Sequence, residues 1–260
     1  MNVTTRIAPV GMDEAEWNIR CDLAALYRLV AHYRMTDFIY THISARLPGP
    51  ENHFLINQYG VLFEDMRASD LVKIDLDGNI VDQDRDGSKI INPAGFTIHS
   101  AVHSARHDLR FIIHTHTAAG IAVAAQEQGL LPISQHAMKF YGKLSYHKYE
   151  GIALDEDECP RLVADLGPTN KAMILVNHGL LVGGNNAPDA FLQIYYLERS
   201  CQAQVAALSG GSKLIIPSEE VCRHAAAQHE RPEPLRSAHL EMVWAAACRQ
   251  IERSPIDYRS

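Results

Sequence analysis

The stretch Leu109-Arg110-Phe111-Ile112-Ile113-His114-Thr115-His116 reads as a buried strand that ends in two histidines, with Ala118-Ala119-Gly120 after it. Successive strand side chains face opposite sides, so His114 and His116 share one face about 6 to 7 Å apart, close enough for both imidazoles to reach one cation. A His-x-His pair is also compatible with core imidazoles satisfied by their neighbours, so other residues have to decide. His178 repeats the placement: it follows the apolar run Ala172-Met173-Ile174-Leu175-Val176 and precedes Gly179, where the backbone can turn sharply. Ligands of open α/β sheets gather beyond strand ends. Three imidazoles at two such ends make a facial set that leaves positions open for water or substrate, as a catalytic zinc site requires. Imidazole also suits manganese and iron, so the metal stays open between the three.

Outward from that strand, Ala15 to Arg34 has the spacing of an amphipathic helix, with Asp13 as its cap. Ile43 to Leu47 and Phe54 to Asn57 flank a Pro48-Gly49-Pro50 turn as a hairpin, and Leu71 to Leu76 with Ile80-Val81 flank Asp77-Gly78-Asn79 as a second. Helices are expected from Phe96 to about His107, Ala118 to Gln128, Asp155 to Leu166 and Asp189 to Leu208, with Ala172 to Val176 as a buried strand. Leu131-Pro132-Ile133 opens an extended stretch. After the breaker Ser209-Gly210-Gly211, helical periodicity returns over Ser218 to His229 and Ser237 to Arg253, and Pro255 to Ser260 reads as extended. The alternation predicts an α/β fold: a three-layer α/β/α sandwich with a mainly antiparallel central sheet. Residues 1–212 would form that domain, with 213–260 a helical extension packed on it.

Composition narrows the function. The chain has 260 residues, 47% of them hydrophobic, and a net charge of −7 from 24 Lys plus Arg against 31 Asp plus Glu. No basic cluster with interleaved aromatics tracks a phosphate backbone, so nucleic acid is not an expected partner. Met1 to Val10 carries no leader pattern and no apolar run approaches about 18 residues, so a membrane is not expected either and the chain reads as cytoplasmic. Five scattered cysteines without a C-x-x-C pair agree with that compartment. Fourteen histidines are an excess that favours an imidazole site.

Several motifs together resemble the class II aldolase and adducin head domain family, over about Ile19 to Ser209. They are Thr41-His42-Ile43-Ser44-Ala45-Arg46, Asn92-Pro93-Ala94-Gly95-Phe96-Thr97-Ile98-His99, Ile113-His114-Thr115-His116-Thr117, Leu130-Leu131-Pro132-Ile133-Ser134 and Asn177-His178-Gly179-Leu180. The resemblance implies a class II aldolase-like fold. It also implies one divalent metal ion per subunit, zinc first, held by His114, His116 and His178 and stabilising an enediolate, in a homotetramer with active sites at subunit interfaces. The departures are as informative. Family aldolases place a Glu, both metal ligand and base, where this chain has Gly95. Their sugar-phosphate turns are matched here by Ile39-Tyr40, Asn57-Gln58-Tyr59-Gly60 and Ala94-Gly95, so a phosphosugar substrate is not expected. His136 falls where aldolases place a proton-donating tyrosine that acts across the interface, and an imidazole suits that work near neutral pH.

Three functions follow. The first is a metal-dependent lyase that decarboxylates, or cleaves by retro-aldol chemistry, a small non-phosphorylated oxo or hydroxy acid, with His136 as proton donor. The second is a non-catalytic interaction module like the adducin head. The third is oxygen chemistry on non-haem iron at the three-histidine site. His99 is expected as a packing or supporting residue, His103 as exposed, and His147 as structural or at the pocket entrance. Glu150 is one of several carboxylates that could replace the missing one.

Overall fold

The computed structural model describes residues 6–81, 88–152 and 156–260. Seven strands form one sheet: β1 (His42–Arg46), β2 (Phe54–Ile56), β3 (Val72–Ile74), β4 (Phe111–Thr115), β5 (Leu144–His147), β6 (Ala172–Leu175) and β7 (Gly179–Gly184). Their spatial order is β3-β2-β1-β4-β7-β6-β5, and every neighbouring pair is antiparallel except β5 with β6. The mainly antiparallel α/β sandwich expected from the sequence is therefore the observed fold. The histidine-bearing β4 lies at its centre, between β1 and β7.

Alternation along the strands builds one core on each face. Ile113, Ile174, Leu180 and Val182 point to the first, which they share with α1 (Glu14–His32), α3 (Ala118–Ala124) and α6 (Ala187–Ser209). Ile112, Met173, Leu175 and Leu181 point to the second, against Ile98 and Val102 of α2 (Pro93–Ala105) and Leu162 and Leu166 of α5 (Cys159–Leu166). On β1 the apolar residues Ile43 and Ala45 join the first core, which turns His42, Ser44 and Arg46 toward α2. The remaining helices are α4 (Gln135–Met138), α7 (Glu219–Gln228) and α8 (Leu235–Ile251). Ala247 and Ile251 of α8 enter the first core, and Arg236 donates to Asp189 of α6 at 2.9 Å.

Capping explains where helices start. Asp13 accepts from the Glu16 amide at 2.9 Å, and Asn186 accepts from that of Asp189 at 2.9 Å. Helix α2 begins at Pro93 rather than Phe96, because Asn92 accepts from the Ala94 amide and proline suits the first turn. The Ala118 helix stops at Ala124, and the second hairpin reduces to a single bridge between Ile74 and Ile80. Asp155, the expected start of α5, lies outside the described residues. The closing segment, expected as extended, runs through bends and a turn, and its Tyr258 and Ser260 carbonyls accept from the Ala68 and Ser69 amides. Among the described residues, no helix is long and apolar enough to cross a membrane.

Candidate metal centre

The end of β4 and the turn between β6 and β7 bring three imidazoles together. His114 is the fourth residue of β4, His116 follows that strand, and His178 sits in the turn where Asn177 has φ 57°. His114 Nε2 lies 2.8 Å from His116 Nε2 and 3.2 Å from His178 Nε2. Among the described residues, these three are the one group of His, Cys, Asp and Glu side chains close enough to share an ion.

Their outer nitrogens determine what the inner ones can do. His114 Nδ1 is 2.9 Å from the Leu180 carbonyl, which can only accept, so Nδ1 carries the proton. His116 Nδ1 is 3.0 Å from Asp37 Oδ2 and likewise donates. In neutral rings both Nε2 atoms are then lone pairs facing each other, an arrangement that repels unless a cation lies between them. Burial and the neighbouring imidazoles hold the His114 pKa well below the ordinary value and push that of His178 down to about 4. Tetrahedral zinc with bonds of about 2.1 Å separates its ligand nitrogens by about 3.4 Å, so small ring rotations would open this cluster to fit one ion. The donor set thus fits the metal expected from the sequence, and Asp37 and the Leu180 carbonyl are the outer partners that metal-ligating histidines require.

The other candidates fall elsewhere. His136 is exposed on the short helix α4, its ring 4.9 Å from that of Tyr196. His99 is fully buried, as a supporting residue should be. His103 is also fully buried, not exposed, because α2 turns it toward Ser44 of β1, whose Oγ lies 2.7 Å from its Nε2. His147 is buried, and its nitrogens bond Asp165 at 2.8 Å and Glu158 at 3.1 Å. Glu150 is engaged on the surface by Arg161. Asp37 and His42 escaped the sequence reading as site residues. The signal for His42 was the alternation His42-x-Ser44-x-Arg46, a polar face on a strand whose other face is apolar.

The comparisons with known proteins bear on the same region. Residues 21–205 match the family described as Class II Aldolase and Adducin N-terminal domain. A crystal structure of an aldolase II superfamily protein from Pseudomonas syringae is 52% identical, covers 96% of this chain and 98% of its own, and superposes with a TM-score of 0.88. An L-fuculose 1-phosphate aldolase from Glaciozyma antarctica is 26% identical, with a TM-score of 0.78 over 95% of this chain and 94% of that one. Alpha-adducin of Rattus norvegicus is 43% identical over 77% of this chain, a match that spans only 27% of the adducin. On these grounds the chain belongs to the class II aldolase and adducin N-terminal domain family.

Proposed function

We propose that the protein is a metal-dependent carbon-carbon lyase that decarboxylates, or cleaves by retro-aldol chemistry, a small non-phosphorylated oxo or hydroxy acid. The observation that carries this reading is the convergence of three Nε2 atoms, two of them on rings whose Nδ1 already donates and which, when neutral, turn lone pairs toward one ion. His114, His116 and His178 would hold one divalent cation per subunit, zinc by preference. Once bound, the cation supplies Lewis-acid polarisation of a carbonyl or hydroxyl beside a carboxylate. As the carbon-carbon bond breaks, its electron pair stays on the carbon next to that polarised group, and the other fragment leaves as carbon dioxide or, in the retro-aldol case, as a carbonyl compound whose hydroxyl proton passes to water. His136 then delivers the proton that this carbon needs.

His136 would come from a second copy of the chain in a homotetramer. Exposed aromatics beside the triad support that assembly: Phe38 follows Asp37 and is 70% exposed, and Tyr149, 53% exposed, has its ring 6.3 Å from that of His178. The five free cysteines suit the cytoplasm, and no disulfide links them.

Purified protein should carry one metal per chain by elemental analysis and anomalous scattering, and it should turn over at least one acid in a panel of small oxo and hydroxy acids. The double variant His114→Ala with His178→Ala should lose both metal and turnover; unchanged metal content and turnover would exclude the proposal. Mixing His136→Ala chains with His178→Ala chains, each inactive alone, should restore part of the activity if the proton donor crosses the interface. A second reading, a non-catalytic module, is favoured by the 43% identity to alpha-adducin. It predicts no turnover of any acid in the metal-loaded protein.

A further inference from the structure

Beside the triad runs a second series of buried imidazoles that the lyase reading leaves without a task. The His42 ring lies 5.1 Å from that of His114 at an interplanar angle of 31°. His42 Nδ1 is 3.0 Å from His99 Nε2, His99 Nδ1 is 2.6 Å from Ser44 Oγ, and Ser44 Oγ is 2.7 Å from His103 Nε2. None of the four residues is more than 4% exposed. At the far end the Arg46 guanidinium donates to the His103 carbonyl. There Arg46 Nε and His103 Nδ1 are both buried without a hydrogen-bond partner among the described residues.

That end sets the direction of the whole chain. His103 Nδ1 is buried without a partner and the Arg46 guanidinium sits on the carbonyl of the same residue, so a lone pair is the less costly form there; the ring then carries its proton on Nε2 and donates to Ser44. Ser44 donates in turn to His99 Nδ1, His99 Nε2 donates to His42 Nδ1, and the His42 proton is left on Nε2. The opposite direction would bury an unpaired N–H at His103 Nδ1. Desolvation keeps the rings neutral, pushing the His103 pKa down to about 3 and those of His42 and His99 well below the ordinary value.

The edge of His42 that bears this N–H lies against Gly95. A Cβ at position 95 would stand 2.2 Å from His42 Cδ2 and 2.7 Å from His42 Nε2, so no side chain fits there while the ring holds its place. The backbone is committed to this arrangement. Thr41, just before His42, has φ 68°, a region that β-branched residues rarely occupy. The carboxylate of Asp37 lies behind His116, on Nδ1, rather than among the ligand nitrogens.

We infer that His42 Nε2–H is a substrate-binding donor, and that the His42-Gly95 pair makes this a site for a carboxylate-bearing chelating ligand, a 2-oxo or 2-hydroxy acid. An all-imidazole set leaves the full charge of a divalent cation uncompensated by any coordinating carboxylate, and the adjacent N–H offers a hydrogen bond to an anionic oxygen. This inference rests on the metal-binding part of the lyase reading.

The experiment uses Co(II)-loaded protein, with the cobalt d–d absorption titrated by oxalate and, separately, by inorganic phosphate. Oxalate should shift the band saturably and bind more tightly than phosphate. His42→Asn, which keeps a partner for His99 but lacks the outer N–H, should weaken oxalate about tenfold or more at unchanged cobalt content. His42→Gln, whose amide reaches the outer position, should retain most of the affinity. Gly95→Ala, which displaces the ring and removes no polar group, should act like His42→Asn. Oxalate affinity unchanged in both His42→Asn and Gly95→Ala, or phosphate binding as tightly as oxalate, would overturn the inference and leave the lyase reading standing. Failure of the wild-type protein to take up cobalt would overturn both.

Discussion

Asp37 accepts from His116 Nδ1 at 3.0 Å, and that contact keeps a proton on Nδ1 and orients the candidate ligand ring. Removing it should loosen the ion without unfolding the chain, because Asp37 is 44% exposed and reaches the site from a surface turn. Asp37→Ala is expected to lower metal affinity about tenfold, read by competition with a chromogenic chelator at constant pH. An unchanged affinity would mean that the ring is oriented by packing alone. At this scale the triad was legible because histidines at strand ends announce themselves through the apolar runs before them. The His42-His99-Ser44-His103 series was not legible. Its hydrogen bonds join β1 to α2 across more than fifty residues, and nothing local marks which face of α2 will meet which strand.

Among the strands, the sequence concealed β5 at the edge of the sheet and, more tellingly, β7. Three of its six residues, Gly179, Gly183 and Gly184, have low strand propensity, yet it pairs with both β4 and β6 at the centre of the sheet. At Gly179 and Gly184 neighbouring backbone comes too close for a side chain, and at Gly183 the Leu109 side chain does. A Cβ on Gly184 would lie 2.3 Å from the Ala190 amide nitrogen, and one on Gly179 would lie 2.3 Å from the Thr115 carbonyl oxygen. Gly184→Ala should therefore force β7 and α6 apart and cost about 1 to 3 kcal/mol in urea unfolding. Helix α2 shows the reverse case. Its extent was nearly readable from periodicity and its Asn92-Pro93 start, but the burial of His103 was not, because β1 offers it a polar partner in Ser44.

Desolvation pushes five imidazoles down: those of His42, His99 and His114 to well below the ordinary value, that of His103 to about 3 and that of the half-buried His178 to about 4. The unfolded chain takes up protons at these rings near pH 6.5 while the folded chain does not, so stability is greatest above that pH and falls as pH drops toward 3. For His103 alone the loss between pH 7 and pH 5 is about 2 kcal/mol. Urea midpoints of chelator-treated protein should fall clearly across that interval, and a flat profile would show that the folded rings are protonated. What the sequence determined by itself was the α/β alternation, the family and the three converging histidines, because periodicity and strand-end residues are local properties of the chain. What only the tertiary structure decided was the second histidine series, the burial of His103 and the seat of His42 on Gly95. Those depend on which faces of β1, β4 and α2 meet, and that is settled by packing between segments far apart in the chain.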